Sequence, residues 1–212
     1  MTSRSLLPIV CALALAASLS GQEPGLSHAV VLVTLDGARV EEVFGGLDVE
    51  VVKSQLKDQQ RLEDHPLYTR FWARTPEERR AKLMPFFWGT LMREHGSIAG
   101  NAALGSRVRL TNGHRFSYPG YSEILTGRAH DDTVRSNDPV RNPYPTALEF
   151  LKVRAGLSKD EAAVFASWSV FHAIVEHTEG ALTVNAGFEA WESPNDEVRR
   201  QSALQFETPT PW

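Results

Sequence analysis

The sequence predicts an α/β protein with helices on both faces of a sheet, and three observations predict it. Residues 29–35, Ala-Val-Val-Leu-Val-Thr-Leu, form a continuous apolar run without alternation, the pattern of a strand buried on both faces as in parallel sheets. A second run, EAAVFASWSV at 161–170, has the same character. Between them lie segments with clear helix start and stop signals, so the chain runs strand, helices, strand. With 212 residues, one domain of ordinary size is expected. A hydrophobic content of 42% against 23% charged residues describes a globular protein and not a disordered one, and a net charge of −4 gives no sign of nucleic-acid binding, which would favour a basic balance.

The first 21 residues stand apart from that domain. Arg4 precedes an apolar run from Leu6 to Leu19, and small residues follow at Ser18, Ser20 and Gly21. This is the layout of a signal peptide over residues 1–21, directing export to the periplasm or the exterior. The run is shorter than the ~20 apolar residues of a membrane span, so no span is expected after signal removal. Cleavage would remove Cys11, the only cysteine, and with it any disulfide or thiolate metal site.

In the remaining domain, residues 28–212, the first strand ends at Asp36-Gly37. Residues 49–71 are polar and mixed, an irregular insertion with some helix. Thr75-Pro76-Glu77-Glu78 is a strong helix start: Thr caps, Pro suits the first helical position and Glu78 completes a capping box. Pro85 ends that helix, and a second should run to Gly96 with Phe86, Phe87, Leu91 and Met92 as its buried stripe. Residues 99–110 suggest a turn and a strand. Then come the short helix YSEILT, stopped at Gly127, a proline-rich polar loop, and the helix TALEFLKVRA, stopped at Gly156. The tail from Ser193 offers no convincing core element.

Two residues carry the chemical argument. Asp36 follows a buried strand, and in open α/β sheets ligands gather beyond the carboxyl ends of strands, where a carboxylate can hold a cation; the alternative is a turn aspartate bonding its own backbone. Ser117, in FSYPGYSEILTG, lies just before a helix N-terminus, where free N–H groups and the helix dipole favour an anion; the alternative is an ordinary N-cap. Ser122 and Thr126 are rival hydroxyls inside the helix.

VLVTLDGAR followed by FSYPGYSEILTG resembles the alkaline phosphatase superfamily, and most closely its nucleotide pyrophosphatase/phosphodiesterase branch, over residues 29–187. The resemblance implies a three-layer αβα fold with a mostly parallel sheet. It implies two divalent metal ions, usually zinc, with Asp36 and Ser117 both touching one of them. Ser117 would be the nucleophile toward a small phosphate mono- or diester, and Asn137 would contact phosphoryl oxygens, with Asn142 close enough in sequence to compete for that role. Tyr121 stands where a formylglycine sulfatase of the superfamily has arginine, which argues against that branch.

The family needs further Asp and His ligands after the nucleophile. Here only His130, His172 and His177 follow Ser117, and the one Asp-His pair, Asp64-His65, lies upstream in the polar insertion. The chain therefore resembles the first half of a two-metal phosphohydrolase, and truncation with weak or absent activity is the expectation. A secreted non-catalytic binding protein on the same fold is the alternative. Two structural expectations follow: Asp36 and Ser117 converge at one sheet edge, and apolar surface is exposed around Val164, Phe165, Trp168 and Phe171.

Overall fold

The computed structural model describes residues 29–207. Within them, 29–35 and 36–207 belong to two separate units; residues 1–21, the expected signal peptide, lie outside the described residues.

The expected strand at 29–35 does not form. The segment has no helix or strand, and Val30, Val31, Leu32, Val33 and Leu35 are all exposed. An apolar run supplies side chains for burial, but a strand also needs a neighbour to pair its backbone N–H and C=O groups. No ladder involves 29–35 among the described residues.

The second unit opens with a helical group. Helix α1 spans Val40–Gly45, α2 Val49–Ser54, α3 Pro66–Phe71 and α4 Pro76–Leu83. Their starts are set locally. The Asp48 side chain accepts from the Glu50 N–H to cap α2, and His65 Nδ1 accepts from the Leu67 N–H to cap α3. Thr75 and Glu78 form the capping box of α4, with Pro76 at its first position. Beyond Pro85 a wide, π-type helix, Phe87–His95, stops at Gly96. Its expected stripe is only partly covered: Phe87 and Met92 are half-buried, while Phe86 and Leu91 are exposed.

Arginines join α4 to the end of α1. Arg79 Nε donates to Gly45 O at 3.1 Å, and Arg80 Nη1 donates to Phe44 O at 3.4 Å. These carbonyls lie in the last turn of α1, where intrahelical donors run out and cations are favoured. Arg80 also lies over the Trp88 ring, 4.1 Å from its centroid, and Trp88 Nε1 donates to Val43 O. Gly46 makes this approach possible. Its φ is +73°, and a Cβ there would lie 2.3 Å from the Arg79 carbonyl carbon.

Residues 99–110 contain a single 3-10 turn, Ala102–Leu104, and no strand; Val108 and Leu110 are exposed. Helix α5 then spans Ser117–Thr126 and α6 Ala147–Ala155, followed by strand β1 (Ala163–Ala166), helix α7 (Phe171–Ile174), strand β2 (Thr183–Ala186) and helix α8 (Asp196–Glu207). β1 and β2 pair in parallel, with Ala163 opposite Thr183 and Ala166 opposite Ala186. The chain is thus mixed α/β, mostly helical with a small two-stranded parallel sheet.

The core gathers Tyr118, Tyr121 and Leu125 of α5, Val134, and Ile174, Val175 and Leu182. Tyr121 meets Phe171 edge to face, with centroids 4.7 Å apart. Of the four residues expected to expose apolar surface, Phe165 does so, at 69%. Val164, Trp168 and Phe171 instead pack against the core, because α5 lies on that side of the crossover.

Helix α7 has four residues; the Val175 N–H closes on Phe171 O, but the carbonyls that follow, Ala173, Ile174 and the C-cap Val175, lack intrahelical partners. The segment 142–149 supplies them. Asn142 N donates to Ala173 O at 2.8 Å, Asn142 Nδ2 to Ile174 O at 3.0 Å, and Thr146 Oγ1 to Val175 O at 2.7 Å. The Glu149 carboxylate accepts from the backbone N–H groups of Thr146, His177 and Thr178. On the other side, the buried Glu176 carboxylate accepts from Gly180 N and Leu182 N and pairs with Arg141 at 3.2 Å. Replacing Asn142, which is wholly buried, leaves Ile174 O and Tyr144 N without their side-chain partners. Asn142→Ala should therefore lower the unfolding free energy by about 2–4 kcal/mol in a denaturant titration. The exposed Lys57→Ala should stay within about 0.5 kcal/mol.

Candidate functional site at the Ser117 turn

The turn into α5 is built by its own sequence. Phe116 is extended (φ −95°, ψ 163°) and occupies the N-cap position, so Ser117 is the first helical residue rather than the residue before the helix. Pro119 falls in the first turn, where an N–H has no intrahelical partner and its loss costs nothing. The helix ends at Gly127, whose φ of +78° suits glycine and whose N–H donates to Glu123 O.

This register removes the capping alternative for Ser117. The cap position belongs to Phe116, which has no hydroxyl, and Ser117 Oγ makes no hydrogen bond with any described residue. The serine is half-buried. Asn137 sits beside it: Asn137 Oδ1 accepts from the Tyr118 N–H at 2.9 Å. The Asn137 amide nitrogen is left without a partner among the described residues, in an exposed residue. The loop is held there by Tyr118 itself, whose hydroxyl donates to Val140 O at 2.7 Å. Burial pushes the Tyr118 hydroxyl up to about 12, so it remains a neutral donor. Asn142, the competing position, is buried, and its amide is engaged with α7.

The rival hydroxyls are differently placed. Ser122 is 1% exposed and its Oγ has no hydrogen-bond partner among the described residues. Thr126 Oγ1 donates to Ser122 O at 2.7 Å and lies 2.9 Å from His130 Nε2. His130 is buried and stacked on Tyr144 at 3.6 Å, and burial lowers its pKa, so it stays neutral in the packing. His172 pairs with Glu189 at 3.0 Å, and His177 Nδ1 lies 3.0 Å from Asn142 O.

Asp36 is exposed in the turn 36–37, and no hydrogen bond or ion pair joins it to the Ser117 turn. Among the described residues no three His, Cys, Asp or Glu side chains are grouped to hold a metal ion. A catalytic zinc takes at least three protein ligands. Asp36 and Ser117 alone do not fit two such ions, and the described residues give no step that runs through them.

Sequence reasoning missed Glu123. Its carboxylate reaches back from α5 to the segment ahead of the helix and accepts four hydrogen bonds: from Thr111 N and Oγ1 at 2.8 and 2.7 Å, and from Asn112 N and Nδ2 at 3.0 and 2.7 Å. Asn112 Oδ1 in turn accepts from Arg115 N at 2.9 Å, and Arg115 is held at φ +55°. The available signal was Thr111-Asn112-Gly113, a turn sequence with side chains that bond backbone.

Burial alone would raise the Glu123 pKa, but the four hydrogen bonds outweigh it and hold the carboxyl at about 2, below its ordinary 4.5. A folded value below the unfolded one means that the stabilisation is complete above pH 4.5 and is lost as pH falls through about 2. The gap in unfolding free energy between the unaltered chain and Glu123→Gln should be constant from neutral pH down to about 5 and shrink below that. A gap that persists unchanged to pH 2 would contradict the assignment. No family model, curated protein or solved structure matches this chain.

Proposed function

We propose that the chain is exported and belongs to the phosphoester hydrolases of the alkaline phosphatase superfamily, with the Ser117 turn as the part that meets the phosphoryl group. The observation that supports it best is the Ser117 hydroxyl, without a hydrogen bond among the described residues, at the first position of a ten-residue helix, with Asn137 docked on the next residue. In this reading Ser117 Oγ bonds to phosphorus as the bond to the ester oxygen breaks, the seryl proton passes to the departing oxygen, and water then hydrolyses the seryl ester. The Asn137 amide N–H donates to a phosphoryl oxygen, and the helix dipole favours the added negative charge. Residues 1–21 serve as the signal peptide, and the three-layer sheet of the superfamily is the architecture in which the β1–α7–β2 unit sits. That family carries two metal ions beside its nucleophile, and the described residues do not bring together the ligands for them. Among the described residues no helix is long and apolar enough to cross a membrane.

The same absence of a three-ligand group favours a second reading, a secreted protein that binds phosphate esters without turning them over. Turnover of an activated phosphodiester with added zinc separates the two. Under the enzyme reading Ser117→Ala falls by several orders of magnitude and Ser122→Ala does not. An inactive chain that binds a phosphate monoester calorimetrically, with binding lost in Asn137→Ala, supports the second reading. Neither turnover nor binding would exclude both. Equal losses in the two serine variants would exclude Ser117 as nucleophile.

A further inference from the structure

We propose that Glu123 is the positioning residue for the Ser117 hydroxyl, acting through the turn that leads into α5. The proposal rests on the reading of Ser117 as the group that meets phosphorus. Glu123 lies in the second turn of α5, yet all four of its side-chain hydrogen bonds go to Thr111 and Asn112, ahead of the helix's own start. Asn112 is 5% exposed and passes the constraint on, because its Oδ1 holds the Arg115 N–H. Arg115 occupies the left-handed region, which a residue other than glycine keeps only where its surroundings impose it. One residue, extended Phe116, separates Arg115 from Ser117.

Two further contacts fasten the same turn to the following loop: Gly113 N donates to Asp131 Oδ2 at 2.8 Å, and His114 Nε2 lies 3.0 Å from Asp131 O. The backbone on which Ser117 sits is therefore set from both sides. Glu123, Asn112 and Arg115 fix the approach, and Asn137 fixes the exit through Tyr118 N. A carboxylate suits this task better than an amide. It accepts four bonds and offers no donor to oppose the N–H groups of Thr111 and Asn112.

The test combines backbone hydrogen exchange with steady-state kinetics on the chain and on Glu123→Gln, using an activated phosphodiester with added zinc. Exchange should accelerate by on the order of tenfold or more at Thr111, Asn112, Arg115 and Tyr118. The Thr183 and Gly187 amides, which bond across the sheet to Ala162 O and Ala166 O, should keep their protection. A displaced nucleophile should lower kcat by on the order of 100-fold while leaving KM nearly unchanged. Faster exchange at Thr111 and Asn112 with unaltered kcat would overturn the proposal, since Glu123 would then hold the turn without placing Ser117. If the unaltered chain shows no turnover, the nucleophile reading fails, and exchange at Tyr118 decides whether Glu123 positions the turn: acceleration supports it and no change overturns it. Should Glu123→Gln fail to fold, Thr111→Val removes one of the four bonds and must show the same pattern, reduced in size, for the proposal to stand.

Discussion

The C-terminal half of the described chain depends on how the carbonyls of α7 are satisfied. A four-residue helix closes only its first carbonyl, Phe171 O, and those at its end, Ala173, Ile174 and the C-cap Val175, belong to buried residues, where an unpaired group costs on the order of 1–3 kcal/mol. Asn142 and Thr146 meet those carbonyls, and Glu149 meets the N–H groups that follow at His177 and Thr178. One segment thereby ties the start of α6 to the β1–α7–β2 crossover. The loop just ahead of that segment carries Asn137 and Val140, which grip Tyr118. The polar clamp on α7 and the placement of the Ser117 turn are consecutive parts of one loop.

Apolar packing completes what the clamp begins. Tyr118, Tyr121 and Leu125 project from one side of α5 onto Ile174, Val175 and Leu182. The opposite side, with Ile124, is exposed. The glycine stop at Gly127 and the stacked pair His130–Tyr144 then turn the chain back across the helix. The result brings Asn137 next to Ser117, 20 residues earlier in sequence, through the hydrogen bond from the Tyr118 N–H to the Asn137 side-chain oxygen.

What was legible in the sequence was local. The caps at Thr75 with Glu78, and the stops at Gly96, Gly127 and Gly156, depend on residues within one turn of each other, and the helices begin and end where those signals lie. The strand at 163–166 forms where its apolar run lies, with β2 to pair with it, but it is not buried on both faces: Ala163 and Phe165 are exposed. The run at 29–35 carries the same signal without a pairing partner among the described residues, and pairing is a property of two segments, not one. At the site, the helix start was misplaced by one residue, because a serine before Tyr-Pro looks like a cap while Phe116, which cannot cap by side chain, takes that position. Glu123 and Asn142 were invisible because their partners lie 11 and 32 residues away. A polar residue in a sequence shows its capacity to bond, and the fold decides with what.

The most direct test of the account is to catch the Ser117 ester itself. The chain is incubated with zinc and an activated phosphodiester, quenched in acid and mapped by peptide mass spectrometry. The account predicts a phosphoryl ester on the peptide containing Ser117, located by fragmentation to that hydroxyl and absent from Ser117→Ala. An ester on Ser122, on Thr126 or on no residue of that peptide would contradict it.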